Sequence, residues 1–435
     1  MNSTKPTQPA KPPKPSFTGY EVFVIAIIAF LQFTVILDFM VMSPLGAILR
    51  PQLNISPAQF GMVVSAYAYS AGISGLLAAG FADKFDRKKM LIFFYIGFLI
   101  GTTLCAMATN YSFLMGARIV TGIFGGVISS IGMAIITDLF KMEVRGRVMG
   151  FIQMAFAVSQ ILGLPIGLVL ANKFDWHAPF WMIAGVGIIP GFIIAMYMKP
   201  VTAHLRLKHD RNPAEHLVKT ISNPPYLLAF LATIFLATGG YMLMPFGSDF
   251  SVRNLGITQA ELPILYGVSG IFTLVFGPLT GWLSDKLGKY KVFVIGSVLS
   301  MAMVAIYTNL GVTPLVLIIV INVIMFAGIM ARMSSSSALV SAIPQPQDRG
   351  AFMSINASVQ QIAGGVAASL AGLVISQGAD KKLHHYSTLG IIVMASMTVV
   401  IVMMYFINKQ VNQKMAAIAS KKEPAIEMAE AFVIE

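Results

Sequence analysis

The sequence predicts an all-α integral membrane protein with 12 transmembrane helices arranged as two six-helix parallel pseudo-repeats. Three observations carry this expectation. Apolar residues make up 56% of the chain and charged residues only 11%, against roughly 45–50% and 25% in soluble domains. The chain breaks into 12 apolar runs, each near the ~20 residues a helix needs to cross a bilayer. The second six runs also repeat the first six at a nearly constant spacing.

In order, the runs are 21–48, 60–81, 90–109, 112–139, 147–171, 178–198, 226–249, 262–284, 292–309, 313–343, 350–377 and 386–407. They are continuous rather than alternating, which implies helices and not the strands of a barrel. Residues 1–19 hold Pro6, Pro9, Pro12, Pro13 and Pro15 among Lys5, Lys11 and Lys14, and read as a disordered basic tail. The first run is too long for a cleaved signal, and Arg50-Pro51-Gln52 after it lacks a small-residue cleavage pattern. The first six spans form one half, 20–198. The basic, Pro-containing segment 199–225 links it to the second half, 226–408, and 409–435 is a cytoplasmic tail.

The net charge of +12 does not call for a nucleic-acid partner. With the N-terminus in the cytoplasm, 23 of the 30 Lys and Arg fall in cytoplasmic segments and five in outer loops, with Arg118 and Arg332 inside spans. That asymmetry is the positive-inside pattern, and it places both termini in the cytoplasm of a multi-pass protein of the plasma or inner membrane. Cys105 is the single cysteine, so an intrachain disulfide is impossible and packing in the third span is its expected role. The six His residues all lie outside the spans, which argues against an intramembrane haem or a His-ligated metal. No G-x-x-x-x-G-K-[ST] sequence occurs, so ATP is not the expected energy source. The chain is therefore not expected to be an enzyme or to carry a cofactor.

The repeat is visible residue by residue. Phe39-Met40-Val41-Met42 falls on Tyr241-Met242-Leu243-Met244. Leu53-Asn54-Ile55-Ser56-Pro57-Ala58-Gln59 falls on Leu255-Gly256-Ile257-Thr258-Gln259-Ala260-Glu261, and Asp83-Lys84 falls on Asp285-Lys286. Internal repeats with binding at the midplane between them characterise secondary transporters. Six spans per half give both halves the same orientation, so the repeats are parallel.

Asp38 lies in the middle of the first span, deeper in a hydrophobic segment than any other acidic residue. A carboxylate at that depth costs about 2.5 kcal/mol or more unless paired, protonated or facing water, and so marks a functional site. Arg118 enters the fourth span six residues below its outer end, about 9 Å deep, and Asp38 lies about 14 Å deep. Long side chains can bridge that gap. The alternative is an Arg118 that snorkels to the interface.

The loop after span two reads Gly80-Phe81-Ala82-Asp83-Lys84-Phe85-Asp86-Arg87-Lys88-Lys89, and the loop after span eight reads Gly281-Trp282-Leu283-Ser284-Asp285-Lys286-Leu287-Gly288-Lys289-Tyr290-Lys291. Here the sequence resembles the major facilitator superfamily, whose signature in this loop is G-x-L-a-D-r-x-G-r-[RK]. The resemblance covers about residues 20–407. Ala79 and Asp86 replace the two glycines of the signature in the first copy, and Gly281 and Gly288 keep them in the second. The resemblance implies a 12-helix major-facilitator bundle and a conformational gate formed by Asp83, Lys84, Arg87, Asp285 and Lys286. Plain positive-inside topology explains Lys88 and Lys89 equally well, but not the doubled Asp-Lys.

Arg118-Ile119-Val120-Thr121-Gly122-Ile123-Phe124-Gly125 resembles the family's R-x-x-x-G-x-x-G motif in span four, which implies proton coupling by Asp38 and Arg118. Thr121 stands where Gln is frequent. In span five, Gly163, Pro165 and Gly167 partly match the antiporter pattern G-x-x-x-G-P-x-x-G-G, with Ser159 at the first Gly and the Pro one residue late. A kink needed only for packing is the alternative. Trp176-His177-Ala178-Pro179-Phe180-Trp181 resembles a W-R-x-x-F turn of exporters, or serves as an interfacial anchor.

Candidate cavity residues are Gln32, Gln153, Gln160, Tyr241, Tyr266, Asn322, Asn356, Gln360 and Gln361, some of which are expected only to join helices. Arg332 is expected to reach the inner interface. Met40, Met42, Met242 and Met244 are expected to pack or face lipid. The implied function is proton-coupled efflux of small, partly apolar molecules by a monomer of the 12-span drug/metabolite antiporter branch, driven by the proton gradient. The alternatives are a proton symporter importing a sugar, organic acid or nucleoside, and, from another class, a non-transporting sensor or an integral-membrane enzyme.

Overall fold

The computed structural model describes residues 17–81, 84–202, 205, 213–345 and 348–431. Twelve helices in it are long and apolar enough to cross a membrane. In chain order the first half comprises α1 (Gly19–Leu53), α2 (Pro57–Phe81), α3 (Arg87–Ala106), α4 (Tyr111–Leu139), α5 (Met142–Val158), α6 (Leu164–Lys173) and α7 (Ala178–Tyr197). A π-helical turn, Ser159–Gly163, joins α5 to α6, so together they make the fifth span. After α8 (Pro213–Ile221), the second half holds α9 (Pro224–Tyr241), α10 (Gly247–Arg253), α11 (Leu262–Leu287), α12 (Lys289–Tyr307), α13 (Leu315–Ala342), α14 (Arg349–Val374) and α15 (Tyr386–Ala431). The seventh span is α9 and α10 together, broken by a 3-10 turn at Met244–Phe246. A two-residue hairpin, β1 (Ser376–Gln377) and β2 (Leu383–His384), precedes α15.

The expected spans and the observed ones agree in number and order, and differ by a few residues at their ends. The first is longer than expected because it is capped at both ends. Thr18 and Glu21 form a reciprocal capping box, and Asn54 closes the helix in the left-handed region at φ 49°. The linker expected at 199–225 contains α8, and the residues after 408 continue α15 to Ala431. The tail expected at 1–19 lies, up to residue 16, outside the described residues.

The repeat has a physical cause at the start of the second helix of each half. Ser56 and Gln59 exchange hydrogen bonds, Ser56 N to Gln59 Oε1 at 2.9 Å and Gln59 N to Ser56 Oγ at 3.2 Å. Thr258 and Glu261, at the matching place, form the same capping box. Just before them, Asn54 (φ 49°) and Gly256 (φ 80°) both adopt the left-handed turn. The matched sequence encodes one local solution, used twice, for turning the chain back into the bilayer.

Chain direction defines two ends of the bundle. The terminus side carries the start of α1, the end of α7, α8 and the described end of α15; the far side carries Asn54 and Gly256. Packing differs between them. On the far side one apolar core runs through both halves, joining Leu45, Phe60 and Leu168 to Phe246, Leu262 and Leu389. On the terminus side each half keeps its own core, around Ile28, Ile131 and Val148 in the first and around Phe230, Phe352 and Val400 in the second. Helices α2 and α14 stay together from Gly61 against Ala368 and Gly372 to Gly75 against Ser358. Hydrogen bonds reinforce that seam, with Ser65 Oγ donating to Gly365 O at 2.8 Å and Ser369 Oγ to Ser65 Oγ at 2.8 Å.

Candidate functional site

Asp38 and Arg118 meet at mid-depth in the first half. Arg118 Nη1 donates to Asp38 Oδ2 at 2.7 Å, and Thr102 Oγ1 donates to Asp38 Oδ1 at 3.1 Å. Both charged side chains are fully buried, so Arg118 does not snorkel. Small residues let the helices come close enough for this. A Cβ on Gly101 of α3 would lie 2.6 Å from Thr121 Oγ1, and a Cβ on Gly122 of α4 would lie 2.5 Å from Tyr67 O. With α2 pressed against α4 in this way, the Tyr67 ring sits 4.6 Å from the Arg118 guanidinium carbon and shares the charge by a cation–π contact. The glycines of R-x-x-x-G-x-x-G are thus contact points for α2. Cys105 is buried beside Thr121, Sγ to Oγ1 at 3.7 Å.

The fifth span bends beside this pair. In the π turn, Ser159 Oγ donates to Ala155 O at 2.9 Å and to Phe33 O at 3.2 Å. Gly163 faces Leu37 of α1 and Gly167 faces Val41, while Pro165 abuts Gly267 of α11. The Gly/Pro segment therefore touches the helix that carries Asp38 and also the other half. Such π insertions occur frequently at functional sites.

The other candidate residues do not all converge. Phe39 stacks between Tyr67 (5.3 Å) and Tyr241 (5.8 Å), and the Tyr241 hydroxyl points to Gln361 Oε1 at 3.5 Å. Thr273 Oγ1 donates across the halves to Gln160 Oε1 at 3.3 Å. Tyr266 and Gln360 are half-buried and Gln153 is exposed. Three others serve their own half: Ser129 Oγ donates to Gln32 Oε1 (3.0 Å), Thr233 Oγ1 to Asn356 Oδ1 (2.7 Å), and Asn322 Nδ2 to its own helix at Ile318 O (3.0 Å). Met40, Met42 and Met242 are buried in packing. Trp176 is buried against His177, and Trp181 of the same turn is exposed. Arg332, expected to reach the inner interface, is instead 4% exposed within the second half.

At the far side, Arg50 and Arg253, expected in outer loops, share one carboxylate. Asp249, fully buried, accepts from Arg50 across the halves and from Arg253 one turn away. Arg50 Nη2 also donates to Gln377 Oε1 at 2.9 Å. Ser248 Oγ donates to Ser43 O at 3.1 Å and Asn172 Nδ2 to Gln259 O at 2.9 Å. Nearby, the Lys382 N–H holds the exposed Asp380 carboxyl below its ordinary range, assisted by His384.

At the terminus side, Asp83 lies outside the described residues. Arg87 is buried, and its Nε donates to Asp138 Oδ2 of α4 at 3.3 Å. Lys84, Asp285 and Lys286 are exposed, and Lys286 Nζ lies 5.0 Å from the Trp282 ring centroid. The two loops diverge at the replaced glycine. Gly288 has φ 96°, which favours Gly. Asp86, at the same place in the first loop, caps α3 through Lys88 N (2.9 Å) and binds Val201 N (3.0 Å).

The sequence profile of the Major Facilitator Superfamily matches residues 28–253 and again 229–432. The chain belongs to this superfamily. It is a multi-pass membrane transporter and not an enzyme. An uncharacterized MFS-type transporter of Bacillus subtilis (strain 168) is 26% identical over 271 residues, 62% of this chain and 68% of that protein. Multidrug resistance protein 3 of the same organism is 31% identical over 163 residues, 38% of this chain and 32% of that protein. Among solved structures, a bacterial homolog to the human lysosomal transporter Spinster, in an inward-facing and unoccupied conformation, superposes with a TM-score of 0.69 at 16% identity, covering 91% of this chain and 97% of its own. The nucleoside transporter NupG superposes with a TM-score of 0.70 at 15% identity over 88% of this chain and 99% of its own.

In this major-facilitator protein, sequence reasoning missed Thr102 and Tyr67 around the Asp38–Arg118 pair, Asp138 beside Arg87, and Asp249 between Arg50 and Arg253. Asp138 carried a usable signal, being an acid at the end of a span that faces a basic loop. Asp249 sat at the edge of an apolar run and carried none.

Proposed function

We propose that this transporter couples the export of small, partly apolar molecules to proton entry by alternating access. The observation that carries the reading is the fully buried Asp38–Arg118 pair. A carboxylate held by one guanidinium and one hydroxyl can exchange that bond for a proton, and a guanidinium freed in this way can serve a substrate. Coupling requires only that the two states favour different occupants of Asp38. The aromatic Phe39 and Tyr241, with Gln160 and Gln361, would line the path of the cargo between the halves. A core shared on the far side and divided on the terminus side fits a state open toward the termini. By the positive-inside pattern that side is the cytoplasm, of a plasma or inner membrane, with the protein acting as a monomer. Asp83, Lys84, Arg87, Asp285 and Lys286, joined by Asp138, would close the cytoplasmic side in the opposite state. The multidrug relatives support export of apolar cargo.

The test is Asp38→Asn in inverted vesicles under an imposed pH gradient. Asparagine keeps an acceptor for Arg118 and the shape of the side chain, so the variant should insert and fold. Proton-driven accumulation should be lost while exchange without a gradient persists. Normal accumulation by Asp38→Asn would remove the residue from coupling. Accumulation in right-side-out vesicles instead would make the protein an importer.

A further inference from the structure

The second half contains a buried arginine with no acid beside it. Arg332 on α13 is 4% exposed, and its Nε and Nη2 have no hydrogen-bond partner among the described residues. Two further orphans lie four and seven residues after Phe293, on the same face of α12. Ser297 Oγ and Ser300 Oγ are both on fully buried residues, and both lack a partner. Ser300 lies against Gly328, one turn before Arg332, and the Arg332 guanidinium carbon stands 6.0 Å from the Phe293 ring centroid. Arg118 and Arg50, the other buried arginines with orphan atoms, each hold an aspartate.

Acids are scarce around Arg332. Residues 224–241, 289–307, 315–342 and 386–416, in α9, α12, α13 and α15, contain no Asp or Glu. On α11, which also meets α13 through Ser284 and Ser335, the single acid, Asp285, is exposed near the helix end. A guanidinium stays charged at any working pH, and a buried unpaired charge is costly. The comparison with the first half is pointed. At the repeat spacing, Gly239-Gly240 stands where the first half has Leu37-Asp38. Arg332 Nη2 lies 3.7 Å from where a Gly239 Cβ would be, and no atom lies within 4 Å of a Cβ on Gly240. The first half brings its own carboxylate to its buried arginine; in the second half Gly240 takes the place of Asp38, and the neighbouring Gly239 is the residue that faces Arg332.

We propose that Arg332, with Ser297 and Ser300, forms a binding site for the carboxylate of a transported substrate. The proposal deepens the transport reading above and rests on it for the word substrate. The class of ligand follows from the orphan atoms. Nε and Nη2 form one edge of the guanidinium, whose two parallel N–H bonds match the two oxygens of a carboxylate. The walls are apolar, with the Phe293 ring on one side and Met397 beside Gly239, so the carboxylate belongs to a molecule with an apolar body.

The full-length protein, purified in detergent, is titrated with sodium benzoate, benzamide or sodium chloride while its thermal unfolding midpoint is followed. A ligand of the folded state raises the midpoint by mass action. Benzoate should raise it by a few degrees, and benzamide and chloride should not. Arg332→Gln should abolish the benzoate shift, and Ser297→Ala with Ser300→Ala should weaken it. Gly239→Asp, whose Cβ fits without a clash, should raise the midpoint by itself and remove the response to benzoate, because the new side chain takes the same edge. This variant and the serine pair decide the matter if Arg332→Gln does not fold. A benzoate shift that survives in Arg332→Gln or Gly239→Asp, an equal shift with benzamide or chloride, or no benzoate shift in the unaltered protein would overturn the proposal. The measurement needs no proton gradient, so its result is independent of whether Asp38 couples transport.

Discussion

Asp249→Asn should open the far side of the bundle. Asp249 is fully buried and holds Arg50 from the other half and Arg253 from its own helix. Asparagine preserves the shape and removes the charge, leaving two guanidinium groups facing a neutral amide. Breaking a buried ion pair costs about 3–5 kcal/mol. The contact with Arg253 stays within the second half and persists in any state, so only the Arg50 contact depends on closure. Taking the lower end, about 3 kcal/mol, the closed state loses a factor of roughly 150 at 1.36 kcal/mol per decade. A population of about 99:1 in favour of the closed far side would become roughly 40:60. Spin labels at the exposed positions Gln52 and Thr258, in a Cys105→Ser background, flank this contact on opposite halves. Pulsed electron–electron distance measurements should gain a longer population in Asp249→Asn. Arg50→Gln should do the same, and the double variant should go little further, since either change removes the same contact. A folded Asp249→Asn with the distance distribution of the unaltered protein would show that the latch does not hold the far side shut.

Two further outcomes are expected. Arg87→Gln and Asp138→Asn should each slow turnover with substrate affinity within one state unchanged, and the pair should be non-additive because the two side chains meet at 3.3 Å; additive losses in a double-mutant cycle of transport rates would separate them. Gly126→Val should destabilise the purified protein by about 3 kcal/mol or more, as overpacking against backbone allows no repair, since its Cβ would lie 2.4 Å from Ala71 O. Gly150→Val, with no atom within 4 Å of its Cβ, should unfold at the temperature of the unaltered protein, and equal midpoints for both variants would refute the steric account.

The fold was legible because membrane helices are written in long apolar runs, each of which must satisfy its own backbone hydrogen bonds whatever its neighbours do. The repeat was legible for a related reason. The Ser56–Gln59 and Thr258–Glu261 boxes and the left-handed Asn54 and Gly256 are local structures, specified within a few residues of sequence. The contact between Asp38 and Arg118 was anticipated because both charges lay at depth in adjoining helices of one half, where the need for a partner is strong. The glycines of span four are small residues in a membrane helix, which permit close approach, but the sequence does not say which helix they admit.

What the chain by itself determined was therefore its division into membrane helices, its doubling, and the presence of charges that need partners. Which partners they found was decided by tertiary structure. In the sequence, Arg50 and Arg253 follow span ends, and Arg332 lies inside a span with the inner interface as its expected reach. The fold buried Arg50 and Arg332 and half-buried Arg253, gave Arg50 and Arg253 a shared aspartate and left Arg332 with a glycine opposite. The physical reason is that helix propensity and hydrophobicity act along the chain and depend on neighbours a turn away. The partner of a buried charge is set by how helices distant in sequence cross, and that crossing is fixed by many small packing contacts, such as Gly122 against Tyr67 or Gly163 against Leu37, none of which names its partner in the sequence.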